Sequence, residues 1–187
     1  MITDLKINEE KKKEYYEKGY WTRETIRDVW ERQARAHAGE EYVADDQGCR
    51  MTYGEVDDAA ARLVDAGIEP GDVVTLQFPN WAEFTIAYVA CFKAGAVIQS
   101  LARNFNGADL TYAMNLVESR AYIGPTSFHG VDYEQQILDI AGDIPTLKVI
   151  ALVDKKAPKH SDLPTVAEIV KTTEPLAEKV PVESDQV

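Results

Sequence analysis

Cysteine and histidine are scarce in this sequence. It holds two cysteines, Cys49 and Cys91, in 187 residues. Each sits inside a strand-like or helix-like run. Two such residues do not make a disulfide framework, and they suit a reduced, cytoplasmic setting. The three histidines, His37, His129 and His160, are far apart. None has a second His or a Cys at metal-ligand spacing, so no metal site is expected. No G-x-x-x-x-G-K-[ST] loop, G-x-G-x-x-G turn or G-x-S-x-G elbow occurs. That removes the common signatures for phosphate binding, dinucleotide binding and serine hydrolysis. Long apolar runs are also missing. Each is interrupted well before the roughly 18 residues a membrane span needs. The opening stretch MITDLKINEEKKKEYY carries charges where a secretion signal needs an apolar centre.

Basic charge is in deficit too. Twenty Lys and Arg stand against 32 Asp and Glu, a net charge of −12. A chain this acidic repels a phosphate backbone, so no nucleic acid is expected as a partner. Lys11-Lys12-Lys13 is flanked by Glu9, Glu10 and Glu14 and reads as a solvated helix face. Asp45-Asp46 and Asp57-Asp58 are neighbours in sequence, whose side chains point apart on a helix or strand, and they read as surface.

What is present is periodicity. A charged peripheral helix is expected over 5–18, ending at Gly19. A second, capped by Thr22, covers 22–37 with Ile26, Val29, Trp30 and Ala34 on one face. Short strands near 41–45 and 49–52 flank Asp46-Gln47-Gly48 and suggest a hairpin. Thr52 and Glu55 form a capping box for a helix that Gly67 ends. Strands are expected at 73–78, 96–101, 121–124 and 148–153. Between them lie helices at 80–94, opened by Asn80 with Glu83 as its box partner, at 106–117 and at 131–141. Such alternation predicts an α/β fold: a parallel sheet, mixed at its edge, with helices on both faces. The α/β domain is expected to span 1–154, with 1–21 as a peripheral arm. Residues 155–187, broken by prolines, read as a linker with a short helix at 165–171.

Strand direction then locates the ligand edge. Lys93-Ala94-Gly95 invites a phosphate-binding reading, yet it follows a helix and precedes a strand. Ligands of open parallel sheets bind beyond the carboxyl ends of strands. Gly95 therefore reads as a helix stop, and Lys93 as a cation at a helix C-terminus. The ligand edge carries Pro79-Asn80, Ala102–Asn106 and Gly124–His129. The substrate-edge candidates are Asn80, Arg103, Asn104 and Phe105; ordinary helix capping is the competing reading for Asn80. No catalytic, cofactor-binding or metal-binding residue is assigned.

The order of motifs resembles a known family. Thr52-Tyr53-Gly54-Glu55-Val56 followed by Gly67-Ile68-Glu69-Pro70-Gly71-Asp72 is similar to the first core region of AMP-forming acyl-CoA synthetases and related adenylating enzymes. NWAEFTIAYVACFKAGAV (80–97) resembles the second. Residues 20–34 and 121–133 resemble the branch that activates medium-chain fatty acids or aryl acids such as dihydroxybenzoate. Ser100 stands where many relatives carry a proline.

The resemblance implies the N-terminal subdomain of the acyl-adenylate-forming fold, ending just before a phosphate-binding loop that follows a segment like Val182–Val187. It implies ATP, Mg2+ and CoA for a parent ligase, a carboxylic acid substrate, and a missing C-terminal part as partner. The chain alone would then be an inactive scaffold or channel wall, with exposed surface that favours self-association. The alternative is a stand-alone α/β module that binds a partner or a small acid.

Overall fold

The computed structural model describes residues 8–64 and 67–175. Residues 5–7 of the first expected helix, and the tail 176–187 with Val182–Val187, lie outside them. Helix α1 spans Glu9–Glu17; Asn8 caps it through the Lys11 N–H, and it buries no residue. It is the first helix expected from the sequence, within 5–18. Helix α2, Ile26–Ala36, starts later than expected because Thr25, not Thr22, is the cap. Asp28 stands three residues after Thr25 and completes the box from both sides.

Strands β1 (Glu41–Ala44) and β2 (Arg50–Thr52) form the expected antiparallel hairpin. Helix α3 (Tyr53–Val64) opens on the Thr52–Glu55 box as read. Gly67 adopts the left-handed conformation, φ +98°. Then β3 (Val73–Leu76), α4 (Ala82–Ala94), β4 (Val97–Ser100), α5 (Gly107–Leu116) and β5 (Ala121–Pro125) alternate. Gly95 ends α4 at φ +69°, and its N–H returns to the carbonyls of Cys91 and Phe92. Asn106 and Asp109 box the start of α5.

A small hairpin follows: β6 (Ser127–Phe128) and β7 (Val131–Asp132). Its turn is His129-Gly130, both left-handed at φ 49° and 80°. The helix expected from 131 therefore starts at Tyr133, with Asp132 as its cap; α6 is Tyr133–Ile140. Strand β8 (Val149–Val153) and helix α7 (Val166–Thr172) complete the described chain.

The main sheet runs β4-β3-β5-β8 and every pairing in it is parallel. The antiparallel pairing expected at its edge occurs instead in the two separate hairpins. Side chains alternate across the sheet. Val74, Leu76, Ala121, Ile123, Ala151 and Val153 face a core shared with α2, α3, α4 and α7. Tyr122 faces the other layer, with Leu110 and Met114 of α5 and Ile137 and Ile140 of α6. Helices thus cover both faces.

Residues 155–175 pack onto this body. The Leu152 N–H donates to the Pro164 carbonyl (2.9 Å), and Val166 and Ile169 enter the first core. The intervening strap is tied by Glu134, whose side chain is fully buried and accepts from the N–H groups of His160 and Ser161. Burial would raise the Glu134 carboxyl, but these hydrogen bonds hold it below its ordinary range.

Candidate functional site

Strands β3 and β5 are neighbours, but their connections leave on opposite faces. Helix α4 covers one layer and α6 the other. This is a topological switch point, and ligands of such sheets bind in the crevice beyond the carboxyl ends of the two strands. The loops there are 77–81 and 126–128.

Aromatic rings fill that crevice. Trp81, buried, meets Phe128 edge-on with centroids 5.6 Å apart, and His129 stacks on Phe128 at 3.9 Å. Two cations flank the pair. The Arg103 guanidinium lies 5.0 Å from the Phe128 centroid, and Lys155 Nζ lies 5.7 Å from the Trp81 centroid.

The loop after β4 is held by its carbonyls. Gln77 Nε2 donates to the carbonyls of Ala102 (3.2 Å) and Phe105 (3.3 Å). Gln136 Nε2 adds a second bond to Phe105, and the Tyr133 hydroxyl donates to the Arg103 carbonyl at 3.0 Å. Gln77 is itself fixed, because the buried Tyr122 hydroxyl donates to its Oε1 at 3.0 Å. The backbone is therefore pinned inward while Arg103 and Asn104 stay exposed at the edge. Phe105 is half-buried against the second core. An exposed guanidinium resting on an aromatic face can hold a carboxylate or phosphate.

Three of the expected edge residues, Arg103, Asn104 and Phe105, thus share one preorganised loop. Asn80 lies on the neighbouring loop, exposed, and among the described residues no hydrogen bond or ring contact joins it to that loop. Nor does Asn80 cap α4. The cap position is Trp81, and no side chain of the local segment bonds the helix end. Asp45 does so from the hairpin, accepting from the Ala82 N–H at 3.1 Å. Glu83, the expected box partner, turns instead to Lys155 Nζ at 2.9 Å.

Asp45 also corrects the surface reading of Asp45-Asp46. Its side chain is 2% exposed and pairs with Lys155 at 2.5 Å. Burial would raise its carboxyl, but Lys155 and the N–H groups of Ala82, Cys49 and Gln47 hold it down at about 2. The reading of Gly95 as a helix stop agrees with the structure. Lys93 reaches Asp57 of α3 at 2.8 Å, far from the ligand edge. Phe128 lies in the expected edge stretch Gly124–His129, whereas Gln77, Trp81, Tyr133 and Lys155 fall outside every expected edge stretch. A glutamine inside an apolar strand was the visible signal for Gln77.

Among the described residues no group of three or more His, Cys, Asp or Glu is placed to hold a metal ion. The carboxylates of Asp45 and Glu83 are both engaged by the Lys155 ammonium. These residues do not fit a magnesium site.

Residues 30–187 match the family described as AMP-binding enzyme. The chain belongs to that family. It is 32% identical over 191 aligned positions to the medium-chain fatty-acid–CoA ligase of Escherichia coli, covering 100% of this chain and 34% of that protein. It is 31% identical to the 2,3-dihydroxybenzoate-AMP ligase of Bacillus subtilis, covering 73% of this chain and 26% of the relative. Among solved structures, apo MbtA of Mycobacterium smegmatis superimposes with a TM-score of 0.77 at 26% identity, over 94% of this chain and 32% of MbtA. The anthranilate CoA ligase AuaEII, solved with anthranoyl-AMP, gives 0.74 at 17% identity, covering 86% of this chain and 30% of its own; this likeness concerns the fold. The chain spans about a third or less of the length of these relatives. Its architecture is that of N-terminal domains of acyl-adenylate-forming ligases.

Proposed function

We propose that this chain is the N-terminal part of an ATP-dependent acid:CoA ligase. The reaction joins a carboxylate to ATP, giving acyl-AMP and pyrophosphate. CoA thiolate then displaces AMP and leaves the acyl-CoA thioester. The observation that carries this reading is 32% identity along the complete chain to a medium-chain fatty-acid–CoA ligase. Domain 1–154, with its arm at 1–21, supplies the scaffold. Residues 155–187 lead toward the remainder, the main partner of this chain.

The loop Arg103-Asn104-Phe105 forms one wall of the acyl or CoA channel, and Asn80 borders it. ATP and Mg2+ are assigned to that remainder. A reduced cytoplasmic setting suits the two free thiols, Cys49 and Cys91.

ATP–pyrophosphate exchange tests this. The 187-residue chain is expected to give none with octanoate or 2,3-dihydroxybenzoate. The same chain extended by its downstream codons is expected to give exchange with one of them. Exchange by the chain alone would overturn the scaffold reading. A stop at codon 187 with no ligase segment encoded nearby, or an inactive extended protein, would remove the parent reading.

A further inference from the structure

Helix α5 presents a bare ridge. Ala108, Tyr112 and Leu116 recur every fourth residue, and Tyr112 and Leu116 are 72% and 68% exposed. Side chains at that spacing stack along one face of a helix. Beside the ridge runs an open groove, walled on its far side by Ile140 of α6 and by Asp143 in the turn that follows. Gly107 lets the two helices approach, because a Cβ there would meet Ile140 Cγ2 at 3.3 Å. The groove follows α5 for its 10 residues, about 15 Å of helix. Such a ridge beside a groove is the form in which one helix receives another.

The charge around the groove is of one sign. From Asn104 to Leu147 there is one lysine or arginine, Arg120, against six carboxylates. Four of these, Asp109, Glu118, Asp139 and Asp143, are exposed, and none forms an ion pair among the described residues. Helices α2, α3, α4 and α7 each carry a cation in the last turn: Arg35, Arg62, Lys93 and Lys171. Helices α5 and α6 carry none. Their C-terminal ends meet, because Asn115 Nδ2 of α5 donates to the Asp143 carbonyl at 3.0 Å. Two helix ends of partial negative charge and the Asp143 carboxylate therefore share one end of the groove, with no cation from either helix.

We infer that this groove docks a basic amphipathic helix of a separate protein. Its apolar side chains, at helical spacing, cover Tyr112, Leu116 and Ile140. A lysine or arginine beside them reaches Asp143 and the joined ends of α5 and α6. Charge selects the occupant. An acidic helix is repelled here, whereas a cation gains the dipole and carboxylate contacts that α5 and α6 leave unused. The inference does not rest on the ligase reading.

Amide NMR of the isotope-labelled chain, titrated with two model peptides, tests it. One peptide sets leucines at helical spacing among lysines; the other has glutamate at every lysine position. The lysine peptide is expected to shift the amides of 107–116 and 140–143 saturably, and the glutamate peptide to shift none of them. Tyr112→Ser combined with Leu116→Ser is expected to weaken the lysine peptide by about tenfold or more. Asp143→Asn is expected to weaken it by about threefold. These side chains are exposed, so melting should stay close to the parent. Glu10→Gln, which removes a charge from α1, is expected to leave binding unchanged. Three results would overturn the inference. One is the absence of saturable binding. Another is equal affinity in the Tyr112 and Leu116 variant, with shifts scattered over other acidic surfaces. The third is loss of the response in a longer protein that carries this chain, which would give the groove to another segment of the same polypeptide.

Discussion

Asp45 receives four donors: the N–H groups of Gln47, Cys49 and Ala82, and the Lys155 ammonium. Its carboxyl near 2 lies below the ordinary value of about 4, so its contribution is complete above about pH 4 and is lost as pH falls through 2. The shift corresponds to about 2 kcal/mol. The urea midpoint of the parent should fall between pH 5 and 2 more steeply than that of Asp45→Asn. Asp45→Ala, which leaves Lys155 to Glu83 alone and strips α4 of its cap, should cost about 3 kcal/mol in urea unfolding. A second residue-scale case is Gly124. A Cβ there would meet the buried Tyr122 hydroxyl at 2.5 Å and its Cζ at 2.8 Å. Gly124→Ala should therefore cost about 1–3 kcal/mol by thermal melting and displace Tyr122 from Gln77. Loss of the Tyr122–Gln77 bond would loosen the loop that carries Arg103.

At the scale of elements, local rules were legible wherever both partners lie within one turn. The Thr52–Glu55 box could be read from four residues and it holds, whereas the Asn106–Asp109 box, with the same spacing, first shows in the fold. Thr22 competed with Thr25 for the start of α2, and Asp28 decides between them. Thr25→Ala should cost about 1 kcal/mol, while Thr22→Ala should stay within about 0.5 kcal/mol, measured by denaturant unfolding. Asn80–Glu83 failed for a non-local reason: Glu83 is claimed by a lysine 72 positions away. The β6–β7 hairpin was missed because its turn places a histidine in the left-handed region, which glycine more commonly occupies. The candidate loop was located through strand direction, but what pins it was not legible. Gln77, Tyr133 and Gln136 are polar residues on three elements, and only the folded sheet brings them to the same carbonyls.

For the molecule as a whole, alternation of strands and helices sufficed to predict a parallel sheet covered on both faces. The strap 155–165 looked like a linker because its composition is polar and rich in proline. Its anchors, Asp45, Glu83, Thr126 and Glu134, lie elsewhere in the chain. Arm and body also differ in how much each matters. Helix α1 buries nothing. Replacing Glu9–Glu17 by a Gly/Ser segment of equal length should therefore shift the unfolding free energy by less than about 1 kcal/mol. Proteolysis should cut within the arm before it cuts the sheet.

The pair Asp45–Lys155 joins positions 110 residues apart. During synthesis the carboxylate emerges long before its ammonium. At about 5–20 residues per second, the hairpin waits roughly 6–22 s for Lys155 to leave the ribosome. Until then Trp81 has no cation over its ring and the crevice has only one of its two flanking charges. The nascent chain therefore builds its sheet first and completes the ligand edge last. A released chain ending at residue 154 should show native protection in β3 but faster exchange at Ala82 than the 187-residue chain.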